Sequence, residues 1–218
     1  MRLASLVAVV CLSLSNLGTA RAADEKGWRP LFDGKSLEGW AHVGPGRMVV
    51  EHGLIRTEGG MGLLWYTRET FGDCVIRVVY KTTARVSNSG VFIRIAEKPK
   101  DEWYAVHHGY EVQIDDAADP FHRTGAVYSM APATAAPGKV GEWNTLEITL
   151  KGPQIRVAVN GVQVLDFNPD TARIPPKKKS WEPERGPRPT QGYIGLQNHD
   201  DAGGKAEVFF KDVAVRPL

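Results

Sequence analysis

Residues 109–116 read Gly-Tyr-Glu-Val-Gln-Ile-Asp-Asp. Apolar and polar side chains alternate along this stretch, which is the period of a β-strand with one face turned toward a core. Its polar face consists of Glu111, Gln113 and Asp115, which are poor strand formers. Such a row is either the solvated face of an antiparallel sheet or a binding or catalytic surface. The neighbouring segments favour the second interpretation.

Short alternating runs separated by glycine and proline fill the rest of the chain. Few stretches keep a helical period for three turns, and this pattern is typical of an all-β sandwich or barrel. Residues 74–80 are apolar on both faces, which predicts a central strand. Asn160-Gly161 lies between two alternating runs and predicts a type I′ hairpin turn.

Three further segments have a local prediction. Residues 97–108 are predicted to form a loop, and residues 125–128 a short strand. Residues 168–191 contain many prolines and three consecutive lysines. Loops of this length are usually functional or disordered, and this one could close over a site as a lid.

The first 22 residues have the pattern of a secretory signal peptide. Arg2 provides a basic start, residues 3–14 are an apolar run too short to span a membrane, and residues 20–22 fit an A-x-A cleavage site. We therefore expect cleavage after Ala22 and export to the periplasm or the medium. Residues 23–218 are then expected to form one domain that is not anchored in a membrane.

Charge and cysteine content exclude some classes of partner and crosslink. Residues 1–22 contain two of the 27 basic residues and none of the 25 acidic ones, so the exported chain is neutral. A basic patch for nucleic acid is therefore not expected. Cys74 is its single cysteine, so an internal disulfide is excluded. The oligomeric state is not indicated.

Polar side chains on three predicted strands could face a common hollow. The first strand places Arg94 on the face of Phe92, the second carries the row from Glu111 to Asp115, and the third ends near His199. Amides, carboxylates and a guanidinium can bind sugar hydroxyls, and aromatic rings can stack on a sugar. The aromatic candidates are Trp103, Tyr104, Tyr128 and Trp143.

The spacing of the carboxylates limits the chemistry. The α-carbons of Glu111 and Asp115 should be about 13–14 Å apart on a regular strand, whereas glycosidase carboxyl pairs are about 5–10 Å apart. A bulge or long side chains could shorten the gap. Asp115, Asp116 and Asp119 could instead bind a divalent cation, or simply form a turn. No other cofactor is indicated.

Short motifs follow one another along nearly the whole exported chain. They are LFDGKSLEGW at 31–40, NSGVFIR at 88–94, YEVQID at 110–115, TGAVY at 124–128, GEWN at 141–144, NG at 160–161, GYIGLQNH at 192–199 and the strand 208–215. In this order they resemble the secreted bacterial 3-keto-disaccharide hydrolase family, also described as 3-keto-glucoside 1,2-lyases and hydratases. The resemblance implies a concanavalin A-like jelly-roll sandwich of two antiparallel sheets, with a saccharide site on its concave face.

The resemblance also implies a reaction on 3-keto-glycosides. The ketone at C3 acidifies the hydrogen on C2, a base removes it, the group on C1 leaves, and water then adds. The catalytic candidates are Glu111, Arg94, His199 and Asp115, with base and acid unassigned. Arg94 or a bound cation would stabilise the enolate. The candidates for substrate binding are Asn88, Gln113, Tyr128, Trp143 and Gln197.

Two other functions fit the same sequence. A non-catalytic carbohydrate-binding module could have the same sandwich architecture, since fold does not determine function. A conventional glycosidase would act on an unoxidised sugar through two carboxylates.

Overall fold

The computed structural model describes residues 27–199 and 206–218, which form two antiparallel sheets and one short helix. The predicted signal peptide, residues 1–22, lies outside the described residues. The elements in chain order are β1 (Arg29–Pro30), β2 (Trp40–Val43), β3 (Arg47–Glu51), β4 (Leu54–Glu58), β5 (Gly62–Tyr66), β6 (Cys74–Thr82), β7 (Asn88–Ile95), α1 (Glu102–His108), β8 (Tyr110–Asp115), β9 (Asn144–Lys151), β10 (Gln154–Val159), β11 (Val162–Phe167), β12 (Tyr193–Asn198) and β13 (Val208–Pro217).

The strands form the predicted all-β sandwich. The larger sheet has the order β11-β10-β9-β6-β13-β4-β3, with β1 paired to β13, and the smaller sheet has the order β2-β5-β12-β7-β8. All strand pairs are antiparallel. β6 lies between β9 and β13, which confirms the prediction of a central strand at 74–80. Along the described residues, no helix is both long enough and apolar enough to cross a membrane.

The core lies between the two sheets. On β9, Leu146, Ile148 and Leu150 are fully buried, and the residues between them are only partly covered. This alternation is expected of a sheet with one face in the core and one toward solvent. The β10–β11 hairpin has positive φ at both Asn160 (51°) and Gly161 (78°), which confirms the type I′ turn.

Both faces of β8 are buried. Tyr110, Val112 and Ile114 belong to the core between the sheets. Glu111 and Gln113 therefore project from the outer face of the smaller sheet, yet they too are buried. The alternation predicted from the sequence is correct. The strand is unusual because its polar face is buried as well as its apolar one.

Helix α1 covers part of this outer face. It packs with strand residues in a second apolar cluster made of Leu63, Trp65, Phe92, Ile95, Ala105 and Val106. Asp101 caps the helix by accepting a hydrogen bond from the backbone N–H of Tyr104 at 2.8 Å. The prediction of a loop at 97–108 is thus wrong for 102–108, because a seven-residue helix is too short to show a period in the sequence.

The short strand predicted at 125–128 is also wrong. Val127 makes only isolated bridges, one to Val112 and one to Ala131. The segment instead folds as turns against β8, with the backbone N–H of Tyr128 donating to the carbonyl oxygen of Glu111 at 2.9 Å. This contact brings Tyr128 to the outer face of the smaller sheet.

Candidate active site

Three rows of residues cross β8, β7 and β12 on the outer face of the smaller sheet. The rows follow from the backbone pairing of the strands, extended along β12 to the bridge between Asn88 and His199. They are Glu111–Phe92–Gly195, Gln113–Gly90–Gln197 and Asp115–Asn88–His199. Neighbouring strands are about 4.8 Å apart, so side chains on the two flanking strands are about 10 Å apart. That separation leaves room for a small ligand above the middle strand.

Gly90 lies at the centre of these rows. A Cβ atom at this position would overlap Oε1 of Glu111 and would lie 2.7 Å from its Cγ and 3.0 Å from its Cδ. The carboxyl group of Glu111 therefore leans over Gly90, from its own row toward the row of Gln113 and Gln197. The missing side chain of Gly90 creates the space that this carboxyl group occupies.

A pocket of about 420 Å³, including its open mouth, lies above Gly90. Among the described residues that line it there is neither lysine nor arginine. The lining residues are Met61, Asn88, Trp103, Val106, Glu111, Gln113, Tyr128, Trp181, Gln197 and His199.

Glu111 is the buried acid of the pocket. Only 4% of the residue is exposed, and its Oε1 has no hydrogen-bond partner among the described residues. Burial raises the pKa of this carboxyl group to about 8. At neutral pH it mostly carries its proton, so it can donate a proton to a ligand and later take one back.

Two glutamines supply unpaired acceptors beside this acid. Gln113 donates from Nε2 to Oδ1 of Asn88 at 2.9 Å, which fixes its amide. Oε1 of Gln113 and Oε1 of Gln197 have no hydrogen-bond partner within the described part of the chain, although both residues are buried. Since buried polar atoms normally have partners, these oxygens are suited to accept from ligand hydroxyl groups.

Tyr128 adds a neutral donor to the pocket. Burial, together with the neighbouring carboxyl groups of Glu111 and Glu182, raises its pKa to about 12, and a hydrogen bond with Trp181 partly offsets this rise. An indole N–H can only donate, so the oxygen of Tyr128 accepts from Trp181. The hydroxyl hydrogen of Tyr128 is then left to donate elsewhere.

An ion pair between the buried Glu182 and the partly exposed Arg185 holds Trp181 in place. Glu182 accepts from Ser129 Oγ at 2.8 Å, from Arg185 at 2.9 Å and from the backbone N–H of Lys178 at 3.0 Å. Burial opposes ionisation of Glu182, but these hydrogen bonds together keep its pKa below the ordinary value. The proline-rich loop at 168–191 is thus fixed against the turn that contains Ser129, and its Trp181 forms a wall of the pocket.

Arg94 lies outside the pocket, so the prediction that it shares a hollow with Glu111 is wrong. The pairing of β7 with β12 shifts by one residue, and Arg94 has a positive φ of 53°. This bulge turns the side chain away from the face of Phe92. The guanidinium instead donates to the carbonyl oxygens of the β9–β10 turn, at 2.9 Å for Pro153 and also to that of Gly152.

Trp143 also lies elsewhere, which corrects its prediction as a substrate-binding residue. It immediately precedes β9 of the larger sheet. The residue is 39% exposed, and its ring lies 5.1 Å from the ammonium group of Lys81 and 5.6 Å from that of Lys211. Cation–π contacts with these lysines account for its position.

Asp115 shares the row of His199 but does not line the pocket. Burial raises its pKa, and Oδ1 accepts from the backbone N–H of Ala117 at 2.8 Å. Asp116 and Asp119 likewise accept hydrogen bonds from local turn groups. Within 27–199 and 206–218, no group of three or more His, Cys, Asp or Glu residues could hold a metal ion.

The structure brings together most of the predicted site and adds residues that the sequence did not indicate. The pocket contains Asn88, Glu111, Gln113, Tyr128, Gln197 and His199 from the prediction, and also Trp103 from the aromatic candidates. Met61, Val106 and Trp181 were missed. For Trp181 the signal was a lone tryptophan among prolines and lysines, where no core period explains an aromatic residue.

The fold and this pocket agree with a known protein family. Residues 27–216 match the family model of the 3-keto-alpha-glucoside-1,2-lyase-like domain. The chain belongs to this family. The match includes every described lining residue of the pocket.

Individual relatives agree with this assignment. The chain is 24% identical over 237 residues to a 3-keto-disaccharide hydrolase of Bacteroides thetaiotaomicron, covering 89% of this chain and 80% of the relative. A crystal structure of a candidate glycosyl hydrolase from Parabacteroides distasonis is 27% identical, with a TM-score of 0.69 over 88% of this chain and 99% of that chain. These similarities support a carbohydrate hydrolase-like protein.

The sandwich also resembles a carbohydrate-binding module. The family 66 module from Bacillus subtilis superposes with a TM-score of 0.55 at 16% identity, over 82% of this chain and 95% of that chain. At this identity the likeness shows the fold alone, which is the predicted jelly-roll sandwich.

Proposed function

We propose that the protein cleaves 3-keto-glycosides by elimination of the group at C1 followed by hydration. The observation that carries this proposal is Glu111, a buried carboxyl group with a pKa near 8 on the floor of a pocket lined with amides. A group that holds a proton at neutral pH suits protonation of a leaving oxygen. The family to which the chain belongs supports the keto-sugar substrate.

The first step is removal of the hydrogen at C2. The ketone at C3 draws the electron pair of the C2–H bond into an enolate. In this proposal His199, which lines the pocket across the sheet from β8, takes the proton. The enolate then re-forms the ketone, the C1–C2 double bond forms, and the C1–O bond breaks while Glu111 protonates the departing oxygen.

The enolate oxygen needs donors, because its charge develops in the transition state. Arg94 lies outside the pocket, and none of the described lining residues is lysine or arginine. Tyr128 is the donor that this proposal uses. Its raised pKa keeps the hydroxyl neutral, and the bond from Trp181 leaves the hydroxyl hydrogen for the enolate oxygen.

Hydration reverses the two proton transfers. Glu111, now ionised, removes a proton from a water molecule while the oxygen of that water attacks C1. The protonated His199 then returns a proton to C2. The sum of elimination and hydration is hydrolysis. Gln113 and Gln197 hold sugar hydroxyls with their unpaired oxygens throughout.

The test compares a 3-keto-disaccharide with the same disaccharide unoxidised, each incubated in ²H₂O. We expect cleavage of the keto substrate alone, with one deuterium at C2 of the released 3-keto sugar. Incubation of that sugar without enzyme corrects for spontaneous exchange. Cleavage of the unoxidised sugar would indicate a conventional glycosidase, and binding without any product would indicate a binding module. Because His199 can return the proton that it removed, the elimination step would be refuted by cleavage without deuterium at C2 together with equal rates on substrates that carry protium or deuterium at C2.

We also propose that the enzyme is exported before it acts. The basic start, apolar run and A-x-A site in residues 1–22 support this. Sequencing of the protein from the periplasm or medium should give an N-terminus at Ala23. An exported protein that still begins at Met1 would contradict the proposal.

A further inference from the structure

Two exposed tryptophans line the pocket. Trp103 on α1 is 42% exposed, and Trp181 in the loop at 168–191 is 52% exposed. Three other tryptophans, Trp28, Trp40 and Trp65, are at most 9% exposed. An indole left largely in water forgoes burial of a large apolar area, so exposed indoles beside a pocket indicate a ligand surface.

Each of the two indoles has one neighbouring ring or ammonium group and still remains exposed. The ring of Trp103 lies 6.4 Å from the stacked ring of His107, and the ring of Trp181 lies 5.7 Å from the ammonium group of Lys179. The exposed Trp143 on the larger sheet differs, because two lysine ammonium groups lie over its ring and it lines no part of the pocket.

The segments that carry the two tryptophans are bonded to each other. Arg188 of the loop donates to the carbonyl oxygen of His107 at 2.8 Å and to that of Gly109 at 3.0 Å, at the C-terminal end of α1. Its guanidinium also lies 5.3 Å from the ring of Tyr110. The separation of the two indoles is therefore set before a ligand arrives, which lowers the entropy cost of binding.

We propose that Trp103 and Trp181 form the subsite for the leaving group, and that these two residues make the enzyme favour a ring over a small alkyl group there. This inference rests on the proposed function. The polar floor around Glu111 binds the keto sugar through its hydroxyls, and the leaving group then lies toward the open mouth between the indoles. Hydrogens on the apolar face of a pyranose are attracted to the negative face of an indole, and an aryl group stacks on it. A methyl group offers too little area for either contact.

The experiment measures kcat/KM for a 3-keto-disaccharide and for methyl 3-keto-glucoside. For Trp103→Ala and Trp181→Ala, the ratio of the two values should fall about five- to tenfold in each variant, mainly through KM of the disaccharide. Trp181→Phe keeps a ring but loses the bond to Tyr128. It should lower kcat on both substrates while leaving the ratio within about twofold of wild type. Trp143→Ala is the matched control and should leave both substrates unchanged.

Each outcome decides the inference. An unchanged ratio in both alanine variants overturns the subsite, as does a wild-type enzyme that cleaves both substrates with equal KM. A ratio that falls equally in Trp181→Phe and Trp181→Ala would also overturn it, because a ring at position 181 would then give no preference for a ring in the leaving group. If the wild-type enzyme cleaves neither keto-glycoside, the proposed function itself fails and the subsite fails with it.

Discussion

Replacing Glu111 with glutamine should remove activity and, at high pH, stabilise the fold. The pKa of this carboxyl group is raised from 4.5 to about 8 by burial. The folded protein therefore binds more protons than the unfolded chain between these two values, and its stability falls as the pH rises through that window. At 1.36 kcal/mol per pH unit, the loss reaches at most about 5 kcal/mol above pH 8 and is near zero below pH 4.5.

A neutral amide does not carry this penalty. The free energy of unfolding of Glu111→Gln should therefore fall less between pH 5 and pH 8.5 than that of the wild type, by an amount up to about 4 kcal/mol. Although the variant should be more stable at high pH, it should be much less active. Loss of the proton donor and acceptor should lower kcat/KM on a 3-keto-disaccharide by about 10²- to 10⁴-fold.

Urea denaturation at both pH values and initial rates of product release provide the two measurements. Glu38→Gln is the control, because the Glu38 side chain is 80% exposed and should show neither effect. Equal pH dependence of unfolding in Glu111→Gln and wild type would refute the assignment of a raised pKa. Retention of more than about a tenth of the wild-type kcat/KM would refute the catalytic role.

Three further substitutions test other parts of the site. Gly90→Ala should place a methyl group where the Glu111 carboxyl group lies and lower kcat/KM at least about tenfold, with circular dichroism unchanged; a variant of wild-type activity would show that the carboxyl group does not need this space. Tyr128→Phe should lower kcat about 10²-fold with little effect on KM in steady-state assays, and a change confined to KM would contradict its role at the enolate. Arg94→Met should destabilise the fold by about 2–4 kcal/mol in urea denaturation, because three backbone carbonyl groups lose their donor. The kcat of the folded variant should stay within about threefold of wild type. A large loss of kcat in a stable Arg94→Met protein would return Arg94 to the active site.

Strand period predicted the directions in which Glu111, Gln113 and Gln197 point. Tyr110, Val112 and Ile114 have to face the core, so Glu111 and Gln113 have to face away from it. The same reasoning applies to the strand that carries Gln197. In each case the apolar residues of the strand fix the direction of the polar ones, and the antiparallel order of the sheet then brings the polar rows together.

The sequence could not predict the parts of the site that depend on a shift in register or on the path of a loop. One extra residue in β7 turns Arg94 from the face of Phe92 toward the β9–β10 turn, and no pattern in 88–95 marks the bulge. Trp181 reaches the pocket because Glu182 bonds to Ser129, which lies 53 positions earlier in the chain. A long-range contact between two loops leaves no period to detect.

Arg188 reaches α1 through main-chain oxygens only. Any amino acid provides those oxygens, so the bonds from Arg188 do not depend on the side chain at position 103. The loop also approaches the helix at His107, whose Nδ1 lies 3.9 Å from Oε1 of Glu184. Exchange of Trp103 for a smaller or a charged residue would then reshape the entrance without loosening it. In the proposed subsite, one substitution at Trp103 would change which leaving groups are accepted. Glu111 and the amides of Gln113 and Gln197 would stay as they are.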